Sequence, residues 1–276
     1  MRGGVMASCF LGILSLTSPL AQADVFFSTF GDGAGLATVD QSTAASVPIG
    51  FSGFPGTYAA AFAPNGTLYT IVNWATNANQ LATFNTTTGA ATPVGAPFGV
   101  PSMLALEVSN SGTIYGGSWG TTNNFFSINP TTGAPTVIGS TGMDFMMDFS
   151  FDSQGTLWAV NNAAGNDLWT IDLTTGVATH VTSITGADGL IMGIMFDAND
   201  VLYATTYINS SSLFTVDTTT GVATLVGNTG LFFAHGGDFQ LAVAAVPEPL
   251  SLAVWTVVGL LGSGAIAGRR RRVSST

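Results

Sequence analysis

The chain has 276 residues, of which 46% are hydrophobic and only 7% are charged, and its formal net charge is -10 at pH 7. It contains no Lys, and its Arg residues are confined to Arg2 and to Arg269 to Arg272, so the stretch from Asp24 to Val246 has no Lys or Arg. This composition excludes a basic surface for nucleic acid and predicts that the stretch repels anionic polymers and attracts cations. Cys9 is the single Cys, which excludes a disulfide framework.

Residues 1–23 have the three zones of a secretory signal peptide. Arg2 supplies the positive charge, an apolar run extends from Val5 to Leu20, and Ala21-Gln22-Ala23 provides the small residues of a cleavage site. We expect the Sec export machinery to recognise this segment and cleavage after Ala23 to release the mature chain. A membrane-spanning anchor is the alternative, although a run of about 16 residues interrupted by Ser, Thr and Pro is short for one.

One sequence unit recurs five times after this leader. Its clearest copy is LWTIDLTTGVATHV, which begins at Leu168, and the other copies begin at Leu36, Leu81, Phe125 and Leu213. The Asp or Asn at the centre of each copy recurs in steps of 45, 44, 43 and 45 residues. These central residues are Asp40, Asn85, Asn129, Asp172 and Asp217.

Each unit is predicted to form four short strands. The strand segments are rich in Val, Ile, Thr and aromatic residues, and Asn-Gly, Gln-Gly and Thr-Gly pairs mark the turns between them. In the Thr-Thr-Gly turn we expect the central Asp or Asn to cap the backbone and the Gly to adopt a left-handed conformation, so we interpret these acidic residues as structural. The glycines concerned are Gly89, Gly133, Gly176 and Gly221.

A four-stranded unit with this period is typical of a β-propeller blade. We therefore predict that residues 24–245 form an all-β, five-bladed β-propeller. The chain enters at a second-strand position, Val25 to Phe30, and the segment Gly237 to Val243 resembles the first strand that is missing there. Both termini are thus predicted to build one blade and close the ring, which would remove the open sheet edges. An unclosed β-solenoid or sandwich is the alternative.

Three acidic residues in the first strands are candidates for a site in the central channel. Aligning these strands places Asp148 and Asp238 at one position and Glu107 two residues further on. Because the first strand of a blade borders the channel, we expect the three carboxyl groups to converge, and convergent carboxylates without cations are typical of a Ca²⁺ site. Hydrogen bonds from loop amides, or exposure to water, are the alternative.

The chain has only two His residues. His235 lies beside Asp238 and is the better candidate for a site, whereas His180 is predicted to be a surface residue of a fourth strand. Trp158 and Trp169 are predicted to pack in the core, while Trp74 and Trp119 fall in loops and are freer to stack on sugars. We find no Gly-x-Ser-x-Gly elbow, Walker loop, Rossmann fingerprint or His-Glu-x-x-His helix.

The composition changes abruptly in the last segment, residues 246–276. Pro247-Glu248-Pro249 precedes 19 uncharged, mostly apolar residues from Leu250 to Gly268, which is long enough for a transmembrane helix. Four Arg follow at once and predict that this end stays in the cytoplasm. They are Arg269, Arg270, Arg271 and Arg272. We therefore predict a C-terminal transmembrane helix with the propeller across the membrane.

This ordered trio resembles the C-terminal signal of the PEP-CTERM proteins of Gram-negative bacteria, over roughly residues 246–272. The resemblance implies that an exosortase, a membrane cysteine transpeptidase, recognises Pro247, Glu248 and Pro249 and cuts near them. The inner membrane would then be a transient anchor before transfer to the cell surface or extracellular matrix. A plain C-terminal anchor, with the same topology and no cleavage, is the alternative.

Proteins of this family are often linked with exopolysaccharide and biofilm matrix. We therefore expect an exported binding or structural module of the cell envelope or matrix, not an enzyme. The alternative from a different class is a calcium-dependent hydrolase or lyase that acts on a polysaccharide or a lactone. Its candidate site residues are Asp148, Asp238, Glu107 and His235.

Overall fold

The computed structural model describes residues 25–240 apart from residues 32, 75–77, 101 and 121–122. These residues form twenty strands in five antiparallel sheets of four strands. Blade 1 consists of β20 (Gly237–Phe239), β1 (Val25–Phe30), β2 (Gly35–Asp40) and β3 (Ser46–Phe51), from the centre outwards. Blade 2 consists of β4 (Ala61–Phe62), β5 (Leu68–Val72), β6 (Gln80–Phe84) and β7 (Ala91–Pro93).

The other three blades repeat this order in unbroken sequence. Blade 3 consists of β8 (Met103–Val108), β9 (Ile114–Ser118), β10 (Asn124–Ile128) and β11 (Pro135–Ser140). Blade 4 consists of β12 (Met146–Phe151), β13 (Leu157–Asn161), β14 (Asn166–Ile171) and β15 (Ala178–Ile184). Blade 5 consists of β16 (Ile191–Phe196), β17 (Leu202–Thr206), β18 (Ser212–Val216) and β19 (Ala223–Asn228).

The ring closes as the sequence predicts. β20 pairs with β1 in the register Phe26 with Phe239, Phe27 with Asp238 and Ser28 with Gly237, so the two ends of the domain share one blade. The inner strands also contact one another around the whole circle, including β20 with β4 on one side and with β16 on the other. The alternative of an unclosed solenoid or sandwich is therefore wrong, because the ring of blades is closed.

Burial falls from the centre of each blade to its rim. Every residue of the inner strand β8 is buried, whereas the outer strand β11 exposes its middle residues, including Val137. The core lies between neighbouring blades, where side chains such as Phe125 of blade 3 and Phe149 of blade 4 meet edge to face with ring centroids 5.7 Å apart. Since the described residues include no Lys or Arg, this apolar burial supplies most of their stability.

The Thr-Thr-Gly turns have the predicted geometry. In blade 4, Asp172 Oδ1 accepts the backbone N–H groups of Thr174 at 2.9 Å and Thr175 at 2.8 Å. Gly176 has a φ of 77°, a left-handed conformation that a residue with a side chain adopts only at a cost. The equivalent Asn or Asp caps the turn in the other four blades.

Each Thr-Thr-Gly turn also packs against the outer strand of the preceding blade. A methyl group added at Gly139 of β11 would collide with the carbonyl oxygen of Thr175, and one added at Gly50 of β3 would collide with that of Thr88. Gly227 of β19 approaches Thr43 in the same way where blade 5 meets blade 1. Thr182 takes the place of this Gly in blade 4, and Thr185 of the same segment forms a parallel bridge with Val222. Direct packing of the outer-strand backbone of one blade against the turn backbone of the next is therefore a repeated contact between blades.

Helices contribute little to the described part of the chain. No helix among those residues is long and apolar enough to cross a membrane. The predicted helix from Leu250 to Gly268 lies outside the described residues, as do the signal peptide of residues 1–23, with Ala21 and Ala23, and the whole sorting segment. The predictions for Pro247, Glu248, Pro249 and Arg269 to Arg272 therefore remain sequence-based.

Candidate functional site

Glu107 and Asp238 occupy one layer of the central channel. Glu107 lies opposite Tyr115 of its second strand and Asp238 lies opposite Phe27, and these two aromatic residues hold equivalent places in their blades. Asp148 lies one layer nearer the start of its strand. The sequence alignment that placed Asp238 level with Asp148 was therefore wrong by two residues. The full layer is Ala61, Glu107, Ser150, Met195 and Asp238.

Asp148 shares its own layer with small residues. A Cβ atom built on Gly236 would lie 3.1 Å from both carboxyl oxygens of Asp148, although the two residues belong to blades that are not neighbours in the ring. The side chain of Asp148 therefore extends across the channel. Its Oδ2 atom accepts the N–H of Ile194 in the adjacent blade at 3.0 Å.

Polar side chains of the inner strands connect one blade to the next. Ser150 Oγ accepts the N–H of Phe196 at 2.9 Å, and Asp238 Oδ2 accepts the N–H of Phe62 at 2.7 Å. Glu107 differs, because its Oε1 atom accepts a backbone N–H of its own strand at 2.7 Å. The sequence left open hydrogen bonds from loop amides as the alternative. The amides that these carboxyl groups accept belong instead to inner strands, at Ile194, Phe62 and Val108.

The three carboxyl groups have raised pKa values. Burial raises the pKa of Glu107 well above its usual range, and the charges of Asp238 and Asp148 raise it further. Burial likewise raises the pKa of Asp148 well above its usual range, despite the N–H of Ile194, and raises that of Asp238 to about 7. The charge of Asp238 thus contributes to the raised pKa values of Glu107 and Asp148, and the channel favours the protonated forms of the three groups.

The described residues do not form an evident metal centre. Within residues 25–240, less the gaps given above, no three His, Cys, Asp or Glu side chains are arranged so that they could hold a metal ion. The geometry thus gives the calcium hypothesis no support from the described side chains.

The mouth of the channel is built by a hydrogen bond that recurs in all five blades. The first residue after each second strand donates its N–H to a carbonyl in the segment that leads into an inner strand. Examples are Trp119 to Ser102 at 2.8 Å and Tyr207 to Leu190 at 2.8 Å. The other three pairs are Gly31 with Phe232, Asn73 with Pro55 and Asn162 with Phe145. This bond brings two sets of loops together at the end where the inner strands begin.

β-Bulges place one side chain per blade in this mouth. The register of β12 with β13 shifts between Met146 and Asp148, which leaves Met147 as the extra residue. The same shift occurs at Leu104 of β8 and at Met192 of β16. In blade 1, the N–H of Thr29 bonds Gly236 while its carbonyl accepts from His235, the two-against-one pattern of a bulge.

We call these side chains and their blade 2 counterpart the mouth ring. Its members are Tyr58, Leu104, Met147, Met192 and His235. All except Met192 are buried, at 4 to 8% exposure. The sequence had singled out only His235 of the five. The sequence comparison of the first strands started at Ala59, Ala105, Asp148 and Gly193, so it did not include the residues before them. The other four members of the ring are the large side chains that directly precede these positions.

Six rings form a continuous aromatic row at one side of the mouth. Tyr58 contacts two other rings: its centroid is 5.1 Å from that of Trp74 and 4.3 Å from that of His235. Tyr207 is 4.9 Å from His235 and stacks on Phe233 at 4.3 Å. Phe232, which is 48% exposed, continues the row at 4.0 Å from Phe233. In chain order the aromatic row is Tyr58, Trp74, Tyr207, Phe232, Phe233 and His235.

Two buried nitrogen atoms in this row have no hydrogen-bond partner among the described residues. They are Nε1 of Trp74 and Nε2 of His235. Burial lowers the pKa of His235 to about 3, so its imidazole is neutral at physiological pH. Leaving a buried polar group unpaired costs about 1–3 kcal/mol, which makes such groups exceptional in a folded chain.

The remaining aromatic predictions have mixed outcomes. His180 is on the surface, as predicted, with its side chain 44% exposed and 3.5 Å from Asp167. Trp158 and Trp169 are partly buried and pack against apolar clusters, as expected. Trp119 and Trp74 do lie in loops, but both also pack on the apolar cluster at the mouth, so neither is simply free.

The architecture defines the chain as a five-bladed β-propeller. It is similar in structure to a chain in the crystal structure of a nidogen/laminin complex, with 12% sequence identity over 79% of this chain and 98% of that one and a TM-score of 0.56. TolB from Acinetobacter baumannii is similar at 14% identity over 79% of this chain and 54% of TolB, with a TM-score of 0.47. No protein-family model and no curated protein matches the sequence. Identities this low indicate a shared fold alone.

Proposed function

We propose that this protein is an exported β-propeller that acts as a binding module of the cell envelope or exopolysaccharide matrix, and that an exosortase delivers it. The observation that carries the proposal is the tripartite C-terminal end: Pro247-Glu248-Pro249, the apolar segment from Leu250 to Gly268, and four consecutive Arg. Such an end supplies a sorting motif, a transient anchor and an orientation signal. The signal peptide of residues 1–23 supplies export.

The geometry of the propeller favours binding over catalysis. Asp148 and Asp238 accept backbone N–H groups that connect neighbouring blades, and the raised pKa values of both favour neutral side chains. Because these hydrogen bonds join neighbouring blades, we assign both carboxyl groups a structural role. In the aromatic row at the mouth, by contrast, two buried nitrogen atoms have no hydrogen-bond partner among the described residues.

The sorting half of the proposal is tested in the native cells. We would measure the intact mass and the location of the wild-type protein and of a variant with Pro247→Ala, Glu248→Ala and Pro249→Ala. Wild-type protein should end near Val246 and lie outside the inner membrane, because cleavage removes the anchor. The triple variant should keep its full tail and remain in the membrane.

A matched control separates motif recognition from general damage to the tail. Ser251→Ala changes a residue just beyond the motif and inside the apolar segment, so the variant should be processed like wild type. A wild-type protein that retains Leu250 to Thr276 would contradict exosortase sorting and favour a plain anchor.

A further inference from the structure

The aromatic row at the mouth has the composition of a ligand site. Small-molecule sites are mostly apolar and aromatic, with a few polar groups that fix orientation. Here the rings of Tyr58, Tyr207 and Phe233 supply the apolar part. The Nε1 atom of Trp74 and the Nε2 atom of His235 supply polar groups, and no described residue satisfies either atom.

The chemistry of these two atoms limits the ligand. An indole N–H can only donate, so Trp74 requires an acceptor, which a simple cation cannot provide. The neutral imidazole of His235 offers one donor and one acceptor nitrogen. A ligand that satisfies both residues therefore carries acceptor oxygens, and hydroxyl groups suit either protonation pattern of the imidazole.

The charge of the domain limits the ligand further. The stretch from Asp24 to Val246 has fourteen of the 15 acidic residues of the chain and no Lys or Arg. An anionic ligand would meet a negative field with no cation to neutralise it. The oxygen atoms that accept from Trp74 must therefore belong to a neutral group.

We propose that the aromatic row binds a neutral, hydroxyl-rich carbohydrate chain, with Trp74 and His235 as its hydrogen-bonding residues and Tyr58 and Tyr207 as its stacking surfaces. This inference rests on the proposed function, since it gives the envelope module a site and a class of ligand.

The test measures binding of the full chain, purified in detergent, to an array of neutral and acidic glycans. We expect binding to one or more neutral glycans and none to glycans rich in uronic acid or sulfate. Trp74→Phe keeps an aromatic ring and removes the N–H, and His235→Phe keeps the ring and removes both nitrogens. Each should weaken binding about tenfold, as expected for one lost hydrogen bond to the ligand.

Trp169→Phe is the matched control. Trp169 also has a buried Nε1 atom without a partner, but it lies on β14 of blade 4, in contact with His180 and away from the mouth. The same substitution there should leave glycan binding within about twofold of wild type. A general loss of stability would affect both Trp variants, so a selective effect at Trp74 separates the two causes.

The other outcomes would overturn the inference. Binding to neutral glycans that survives both Trp74→Phe and His235→Phe would move the site away from the aromatic row while leaving the proposed function intact. Binding to acidic glycans alone, or to none, would contradict the ligand class. Failure of sorting is detected by a different measurement, namely the mass and location of the protein in its own cells, and does not affect the glycan-binding result.

Discussion

A capped turn before the outer strand and one residue of the mouth ring both occur in every blade, and their sequences vary to different degrees. The turn is Thr-Thr-Gly in four blades and Ser42-Thr43-Ala44 in blade 1. Each turn has an Asp or Asn that caps two backbone N–H groups, from Asp40 in blade 1 to Asp217 in blade 5. The mouth ring instead has Tyr58, two Met, Leu104 and His235 at one structural position. The turns keep Asp or Asn in every blade because their geometry requires a capping side chain. The residue type at the mouth ring varies, so the fold does not determine it, and it can be selected for binding.

The two regions also differ in the type of residue that they place in a left-handed backbone conformation. Four of the turns use Gly, such as Gly133 and Gly176 with φ values of 70° and 77°, at little steric cost, while blade 1 has Ala44 at 61°. The segments that lead to the mouth place Phe145 and Phe233 at 54° and 49°. A bulky residue in this region costs about 1–2 kcal/mol, so the mouth keeps its aromatic side chains against a conformational penalty.

The largest measurable effect should come from the buried carboxyl groups of the channel, which make the stability of the protein depend on pH. Glu107, Asp148 and Asp238 have raised pKa values in the folded protein, so between about pH 4 and pH 7 the folded state binds more protons at these groups than the unfolded state. Their stabilising contribution is present below the unfolded pKa and is lost as the pH rises through the folded pKa. His235, with its lowered pKa, acts in the opposite direction, but it is one group against three. The midpoint of thermal unfolding should therefore fall from pH 4.5 to pH 7.5.

Two substitutions test the cause of this slope. Asp148→Asn keeps an oxygen that accepts from Ile194 and removes the titration, so the fall should be smaller in this variant. Asp200→Asn, at an exposed carboxylate whose pKa its bonds with Ser153 lower, should leave the slope between pH 4.5 and 7.5 unchanged. A midpoint that rises with pH over this window would mean that the channel carboxyl groups are ionised and paired.

The packing of turns against outer strands should be the next most sensitive feature. Gly139→Ala adds a methyl group that collides with the carbonyl oxygen of Thr175, and two backbones must separate to admit it. We expect the free energy of unfolding to fall by about 1–3 kcal/mol, a typical cost of overpacking. Val137→Ala, on the same strand but 57% exposed, should cost far less. Equal losses in the two variants, measured by denaturant unfolding, would contradict the interblade contact.

The cap of a single turn should contribute less. Asn129→Ala removes the acceptor for the N–H groups of Thr131 and Thr132, which lie at 2.9 and 3.0 Å. The expected loss is about 1 kcal/mol, because the freed N–H groups are exposed and water replaces part of each bond. Asn129→Asp should restore stability, since Asp172 and Asp217 perform the same role in other blades. Failure of this rescue would show that the amide of Asn129 has another function.

The sequence predicted the repeated parts of the molecule well, for a physical reason. Five blades, the left-handed turn glycines and the closing strand all follow from local patterns that the chain repeats, such as the Asp172 cap and Gly176. The register of Asp238 was wrong because β20 is remote in sequence from β1, and no turn fixes how the two strands align.

The mouth was harder to predict because its geometry depends on bulges. A bulge adds a residue to one strand, so Met147 and Met192 fall outside the strict alternation of sides on which strand patterns are based. The contacts of Tyr58 with Trp74 and His235 join segments far apart in sequence. The sequence nonetheless contained a usable pattern, because a large side chain directly precedes small inner-strand residues such as Ala105 and Gly193, and these large side chains form the ring.

The smallest expected effect on stability distinguishes the mouth most sharply from the turns. Trp74→Phe removes an N–H that has no partner, so the folded protein loses no hydrogen bond and avoids the cost of burying that group. We expect the free energy of unfolding without ligand to change by less than about 0.5 kcal/mol or to increase, in contrast to the loss for Asn129→Ala. The check is denaturant unfolding of both variants under one condition. A loss above about 1 kcal/mol for Trp74→Phe would show that the indole N–H is satisfied inside the protein, and the mouth would then resemble the turns.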